Sequence, residues 1–201
     1  MRDDILEFWF GPSRGLAESA APGAASTAVP APTARQAWFR KDPAFDDAIR
    51  TRFGGAVEAA LAGAHADWTD PAGALARVLL LDQFTRNLFR DTPRAFAGDA
   101  LALATAKAAI AAGHERALDR FGRWFLYLPF EHSEDAVMQD RSLALFGALA
   151  AATGDRAPLE WAEKHAAVVR RFGRYPHRNA ILGRASTADE EAFLREPGSR
   201  F

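Results

Sequence analysis

The chain has 201 residues, of which 49% are hydrophobic and 25% are charged, and its formal net charge is −1. This length and composition are those of one globular domain, not of a disordered chain. The balanced charge provides no basic field to attract nucleic acid or an anionic membrane. Cysteine is absent, which excludes disulfides, thiol nucleophiles and thiolate metal sites and is typical of a reducing compartment.

The first ten residues, MRDDILEFWF, place two acids before a short apolar run. That order is the reverse of a signal peptide. No apolar run approaches the ~20 residues that a membrane-spanning helix needs. We therefore expect a cytoplasmic protein without a membrane partner.

Helix signals follow one another along the chain. Asp42 before Pro43, and Asp70 before Pro71, each combine an N-cap with proline at the first helical position. Ser186 or Thr187 with Glu190 predicts a capping box at the start of the last helix. Residues 11–34, rich in Ala, Pro, Gly and Ser, predict a flexible loop insertion. The predicted helices cover residues 3–10, 43–63, 71–89, the Ala-rich stretch from Thr92 and Pro93 to Gly113, and about 115–127, 130–152, 158–172, 176–183 and 187–195.

Strand signals are weak, because no segment alternates at period two and β-branched residues are scarce. Eight or nine helices joined by short turns marked by Pro and Gly favour stacked antiparallel hairpins. We therefore predict a single all-α domain over residues 1–201.

A polar stripe lies on the predicted helix 71–89. Gln83, Arg86, Asn87 and Arg90 have the spacing of one helix face. The first half of the helix is apolar all round, which indicates burial. The stripe either is a solvated helix end, with Asp82 and Arg86 as an ordinary pair, or lines a cavity where the helix leaves the core.

The segment PFEHSED (129–135) predicts a second polar site at a helix start, with Pro129 near the first helical position. Glu131 and Glu134 would complement the helix dipole, or pair with the arginines of the stripe. His132 with either glutamate is an acid/base candidate. His132 and Glu134 are two residues apart and face different sides of a helix, so we predict no metal site.

The segment FGRYPHRN (172–179) predicts a third polar site. Gly173 ends one helix, and His177, Arg178 and Asn179 would occupy the first turn of the next. Amides and arginines at a helix start favour an anion, and Arg174 lies beside them. The alternative is that Arg178 and Asn179 cap and tether neighbouring helices.

Several stretches together resemble a known family. They are FWFG (8–11), AWFRKDPAFDDAIRTRF (37–53), LLLDQFTRNLFR (79–90), RWFLYLPFEHSED (123–135), QDRS (139–142) and FGRYPHRNAILGR (172–184). In this order they resemble the bacterial domain-of-unknown-function family 924. The resemblance implies an all-α fold like stacks of tetratricopeptide repeats, and it implies no reaction. The insertion at 11–34 is longer than the usual connection of the family.

Two functions remain open at this point. The first is a pocket for a small anionic molecule, bound by Gln83, Arg86, Asn87, Arg90, Arg174, His177, Arg178 and Asn179. His132, Glu131, Glu134 and His177 would then be the candidate acids and bases. The second is an interaction module for a peptide or protein, in which the polar cluster only fixes the helix register. There is no Gly-rich phosphate loop, GxSxG or HExxH motif, so we predict no cofactor, no nucleic acid partner and no assigned reaction.

Overall fold

The computed structural model describes residues 1–17 and 36–199, and the predicted all-α fold is confirmed. Within these ranges there is no strand, and the single isolated β-bridge joins Leu16 to Leu118. Residues 18–34 of the predicted loop lie outside the described residues. The helices are α1 (Arg2–Phe10), α2 (Pro43–Leu61), α3 (Pro71–Val78, Leu79–Phe84 and Thr85–Leu88, in continuity), α4 (Asp99–Ala111), α5 (Arg120–Glu131), α6 (Ala136–Thr153), α7 (Ala157–Phe172) and α8 (Ala188–Leu194).

The helix starts follow from the predicted caps. The Asp42 carboxylate accepts hydrogen bonds from the second and third amides of α2, and Asp70 accepts one from the third amide of α3. Both satisfy amide groups that would otherwise have no partner at a helix start. Thr187 and Glu190 form the predicted capping box of α8. Four short 3-10 turns connect the helices, at Gln36–Trp38, Pro93–Phe96, His114–Ala117 and Pro176–Arg178.

Helix α3 lies in the centre of the molecule, as its apolar circumference predicts. Leu75, Leu79 and Phe84 are fully buried, and α3 packs against α1, α2, α4 and α5. The rings of Trp9 and Phe84 have their centroids 5.5 Å apart. Among the described residues no helix is both long and apolar enough to cross a membrane. The likeness to tetratricopeptide-repeat stacks stays a prediction.

The middle of α3 is a π-helix over Leu79–Phe84. A π-helix is rare, and it commonly marks a functional position. Gly98, at the start of α4, packs directly on its backbone, since a Cβ added there would lie 2.1 Å from the Leu81 carbonyl oxygen. Only glycine allows so close an approach.

Several predicted helix boundaries are wrong. Pro129 lies inside α5, which continues to Glu131, and α6 begins only at Ala136. The reason is that residues 125–130 are all buried, so the helix continues along the core through the proline. The predicted helix 176–183 is no more than the 3-10 turn Pro176–Arg178. The Ala-rich stretch likewise begins as a 3-10 turn, and α4 starts only after Gly98.

The C-terminal segment (residues 173–199) packs on a small apolar cluster, distinct from the main core. Its buried members are Val168, Val169 and Tyr175, and Phe172 and Phe193 pack against them. This cluster joins the end of α7 to α8. Polar contacts, described below, hold the segment to α6 and α4.

Candidate functional site

The predicted stripe on α3 divides between two groups of partners. Asn87 donates to Asp46 over 2.7 Å, and Arg90 donates to the same carboxylate over 2.6 and 2.9 Å. Burial opposes ionisation of Asp46, but the hydrogen bonds from Arg90 and Asn87 outweigh it and lower its pKa. These contacts tether α3 to the first turn of α2. The role of Asn87 and Arg90 in ligand binding stays a prediction.

The other half of the stripe surrounds a buried aspartate, Asp82, in the π-helix. Its Oδ1 lies 2.7 Å from Nδ1 of His132 and 3.0 Å from Nη1 of Arg86, and its Oδ2 accepts from Gln83 over 2.6 Å. Burial acts to raise the pKa of Asp82, but the charge of Arg86 and the hydrogen bonds from His132 and Gln83 hold it well below its usual range. The pair of Asp82 and Arg86 exists as predicted, yet in the interior and not at a solvated end.

Side chains also serve the backbone of the π-helix. Thr85 donates its hydroxyl to the Leu81 carbonyl over 2.8 Å, and Arg86 donates to the Asp82 carbonyl over 2.7 Å. A π-helix pairs groups five residues apart and leaves carbonyl groups that need other donors. Thr85 and Arg86 supply these donors, so the backbone and the Asp82 carboxylate are held together.

Two arginines meet at Asp99, on α4. Arg86 binds this carboxylate in bidentate fashion over 2.8 and 3.1 Å, whereas Arg178 reaches it over 3.4 Å. The guanidinium of Arg178 lies between the rings of Phe96 and Tyr175, 4.7 and 4.5 Å from their centroids. Its Nε is buried and has no hydrogen-bond partner among the described residues. Burial, and then the charge of Arg86, lower the pKa of Arg178.

We call His132, Asp82, Arg86, Asp99 and Arg178 the charge network. Its outer side reaches solvent, because the side chains of His132, Arg86 and Asp99 are 14, 20 and 23% exposed. Its inner side is closed, since Asp82 has no exposed surface and Arg178 is 8% exposed. The arrangement therefore presents one cation, Arg86, and an imidazole at the rim of a buried carboxylate, and the second cation, Arg178, lies on the closed side.

The surroundings of His132 favour its neutral form, and its tautomer follows from its partner. Burial lowers the pKa of His132 more than the charge of Asp82 raises it. Because Asp82 is ionised and only accepts hydrogen bonds, Nδ1 of His132 carries the proton. The lone pair is therefore on Nε2, which forms no hydrogen bond within the described part of the chain.

Glu131, the residue before His132, is a buried acid whose pKa is raised, whereas that of Asp82 is lowered. Burial, and then the charge of Asp82, raise the pKa of Glu131 to about 8. Its Oε1 lies 3.3 Å from Nδ1 of His165, and burial lowers the pKa of that histidine to about 3. At neutral pH this contact is therefore between uncharged groups. Oε2 of Glu131 is buried with no hydrogen-bond partner in the described ranges.

The end of α5, which carries Glu131 and His132, is held by two side chains that the sequence interpretation missed as site residues. Gln139 donates to the Glu131 carbonyl over 2.8 Å and to the Tyr175 hydroxyl over 2.9 Å. The Tyr175 hydroxyl in turn donates to the Glu131 carbonyl. Gln139 begins the QDRS stretch, so the family resemblance contained a signal for this role. For Asp99 we find no comparable signal.

Glu134 tethers the connection between α5 and α6 to the C-terminal segment. It accepts from Arg184 over 2.6 and 2.9 Å and from the Tyr175 amide over 2.8 Å. Asn179 accepts from Arg184 over 2.9 Å and donates to Ser186 over 3.1 Å. Burial opposes ionisation of Glu134, but its hydrogen bonds lower its pKa. Asn179 therefore has partners of the kind that the predicted tethering alternative requires, whereas Glu134 pairs with Arg184 and not with an arginine of the stripe.

Arg174 and His177 complete the predicted set. Arg174 binds Glu190 over 2.6 and 2.8 Å, within the C-terminal segment. This hydrogen bond is the main cause that lowers the pKa of Glu190 to about 2. The His177 ring has its centroid 5.6 Å from that of Tyr175, and burial lowers its pKa to about 4. Of the two, only His177 lies close to the charge network.

The two most distinct surface hollows of the described residues contain no residue of the charge network. The larger, about 410 Å³, is lined by Asp4, Glu7, Phe8, Gly11 and Arg52, and the smaller measures about 10 Å³. Within residues 1–17 and 36–199, no group of three His, Asp or Glu side chains is placed to hold a metal ion.

Fold and site define an all-α protein whose central helix carries a buried aspartate between a histidine and an arginine. Residues 5–198 match the model of the family described as "Bacterial protein of unknown function (DUF924)". The chain belongs to this family. It is also similar to a solved structure titled "Structure of Protein of Unknown Function ATU0120 from Agrobacterium tumefaciens". The two are 38% identical over 96% of each chain, with a TM-score of 0.79. No curated protein matches the chain.

Proposed function

We propose that the protein binds a small oxyanion, a carboxylate or a phosphate, at Arg178 beside Arg86. The observation that carries the proposal is the incomplete pairing of Arg178. This side chain is 8% exposed, and the hydrogen bond it forms within the described residues is the 3.4 Å one to Asp99. A buried cation without a close partner is costly, so an oxyanion that pairs with Arg178 would be bound favourably.

The distances between the arginines and the carboxylates indicate that Arg178 has less negative charge close to it than Arg86. Charge-assisted hydrogen bonds between arginine and carboxylate usually measure about 2.7–2.9 Å. Arg86 has a contact of this kind with Asp99, over 2.8 Å, and an ion pair with Asp82 at 3.0 Å, whereas Arg178 shares Asp99 at the longer distance of 3.4 Å. The ring of Tyr175 holds the guanidinium plane in place. Arg178 is therefore oriented in advance for an oxyanion, and Asp99 occupies part of its position.

The alternative is a purely structural network within a protein-interaction module, as considered from the sequence. The two functions differ in the role of Asp99. In a structural network Asp99 neutralises both arginines, and its loss can only weaken the fold. In an anion site Asp99 competes with the ligand, so Asp99→Asn should strengthen binding. The site then binds a small anion and not a peptide.

The test is a calorimetric titration with inorganic phosphate and with acetate at constant ionic strength. We expect Asp99→Asn to bind about tenfold or more tightly than the native protein, because a charge-assisted hydrogen bond is worth about 1.5–3 kcal/mol. Arg178→Met should abolish binding. Arg94→Met is the matched control, since Arg94 also stacks on a phenylalanine and pairs with a carboxylate, Glu58, but is exposed.

Circular dichroism would establish that each variant is folded. If folded native protein and folded Asp99→Asn both fail to bind phosphate and acetate, the proposal is wrong. Equal weakening by Arg178→Met and Arg94→Met would also contradict it, because the effect would then be one of net charge.

A further inference from the structure

We infer that Asp82 and His132 form a general-base pair. In this pair Nε2 of His132 removes a proton from a carbon atom of the substrate whose oxyanion is bound at Arg178. The inference rests on the proposed function, and it adds a reaction class to the binding site. The substrate would be a small carboxylate or phosphate ester. It would also carry a carbonyl group, and the carbon next to that carbonyl would bear an acidic hydrogen. Asp82 acts here as a positioning residue and His132 as the catalytic residue.

The geometry of the pair is that of an oriented base. Asp82 is fully buried, and its Oδ1 lies 2.7 Å from Nδ1 of His132. A carboxylate in this position fixes the tautomer and stabilises the imidazolium that forms when Nε2 takes a proton. Nε2 has no hydrogen bond to the described residues, and the ring reaches solvent. A base must have such a free lone pair on the side from which substrate arrives.

The base and the proposed anion site belong to one connected unit. Arg86 Nη1 lies 3.0 Å from Asp82 and 2.8 Å from Asp99, and Asp99 also contacts Arg178. The ionisable groups facing His132 are therefore Asp82, Arg86 and Asp99, with the uncharged rings of His165, 6.4 Å away, and His177. Among the described residues Nε2 has neither a hydrogen bond nor an ion pair, so the lone pair remains available.

The proposed step is a proton transfer that conserves all atoms and electrons. The C–H bond of the substrate breaks, its proton forms a new N–H bond at Nε2, and the electron pair stays on the substrate as an enolate. The positive charges of Arg86 and Arg178 favour the added negative charge. Asp82 stays ionised and hydrogen-bonded to the imidazolium. Return of the proton to carbon, or to the enolate oxygen, restores the base.

The test begins with the histidine alone and requires no ligand. Nitrogen NMR of the native protein should show the Nδ1-protonated tautomer of His132 at neutral pH. Diethyl pyrocarbonate should modify Nε2, and this modification should be slowed about tenfold or more in Asp82→Asn, whose amide can donate to Nδ1 and move the proton to Nε2. Asp140→Asn is the matched control, because Asp140 is an exposed aspartate.

A second measurement separates this inference from the proposed function. Phosphate, at concentrations that saturate the calorimetric signal, should protect His132 from diethyl pyrocarbonate by about tenfold or more. If phosphate binds but neither protects His132 nor shifts its nitrogen resonances, the base pair is not part of the anion site and the inference is wrong. An Nε2-protonated tautomer in the native protein would also overturn it, whether or not Asp82→Asn folds.

Discussion

We expect the native protein to lose unfolding free energy as pH rises, and we expect Glu131→Gln to remove this loss. The pKa of Glu131 is about 8 in the folded protein, against an ordinary value of 4.5. Below 4.5 the carboxyl is protonated in both the folded and the unfolded chain. Between 4.5 and 8 the unfolded chain releases this proton and the folded chain keeps it. Rising pH therefore favours the unfolded chain until the folded carboxyl also ionises.

The magnitude follows from the two pKa values. A difference of one in pKa corresponds to 1.36 kcal/mol, so between 4.5 and about 8 the native protein should lose about 5 kcal/mol of unfolding free energy relative to Glu131→Gln. Glutamine suits the comparison because its oxygen can still face His165, while its amide replaces the protonated oxygen. Other titrations, such as that of Asp82, occur in both proteins and cancel in the difference.

Urea unfolding at a series of pH values across this window measures the difference, provided that both proteins unfold in two states with equal m-values. Glu163→Gln is the control, since Glu163 is exposed and its loss should leave the pH profile unchanged. If Glu131 were instead a carboxylate paired with protonated His165, Glu131→Gln would become less stable than the native protein toward neutral pH. That outcome, or a difference that does not vary with pH, would refute a neutral Glu131.

Two further predictions concern the contacts that place the charge network. Gly98→Ala puts a Cβ 2.1 Å from the Leu81 carbonyl oxygen, so we expect a loss of roughly 1–3 kcal/mol by urea unfolding. Gly147→Ala, which meets nothing within 4 Å inside a helix, should instead gain up to about 1 kcal/mol, and equal effects would contradict the close approach. Tyr175→Phe leaves the end of α5 without one donor and should cost roughly 1–3 kcal/mol. Gln139→Glu should lower the unfolding midpoint further, because it sets carboxylate oxygens against carbonyl oxygens, and the opposite order would be evidence against this role.

The sequence allowed the fold class and the central helix to be predicted, because both depend on local patterns. The apolar circumference of residues 71–81 can only be satisfied by burial on every side. Asp42, Asp70 and Thr187 mark helix starts through contacts within three residues of themselves. Pro129 misled for the same reason, since a proline is a local signal for a start. The burial that draws the helix past it comes from distant helices.

The sequence indicated many residues of the site, but it did not indicate how these residues contact one another. The stripe assumed a regular α-helix, yet Arg86 and Asn87 point to partners on different helices, α4 and α2. Asp82 had the spacing of an ordinary surface pair, and only the fold shows that it is buried beside His132. Spacing along one helix identifies which side chains share a face. It does not identify the partner that arrives from elsewhere in the chain, and the chemistry of a buried charge depends on that partner.

The attachment of the C-terminal segment has a consequence for how a closed site can exchange with solvent. The segment buries few apolar side chains of its own, and ion pairs such as that of Glu134 with Arg184 hold it to the rest of the molecule. Regions with few buried apolar contacts open locally at a lower free energy than the whole domain. We expect the amide hydrogens of residues 176–184 to exchange with deuterium well before those of α3, and faster at high salt. Each such opening would lift Arg178 away from Asp99 and leave the central helix folded, so that the inner face of the network becomes wet for a short time without unfolding.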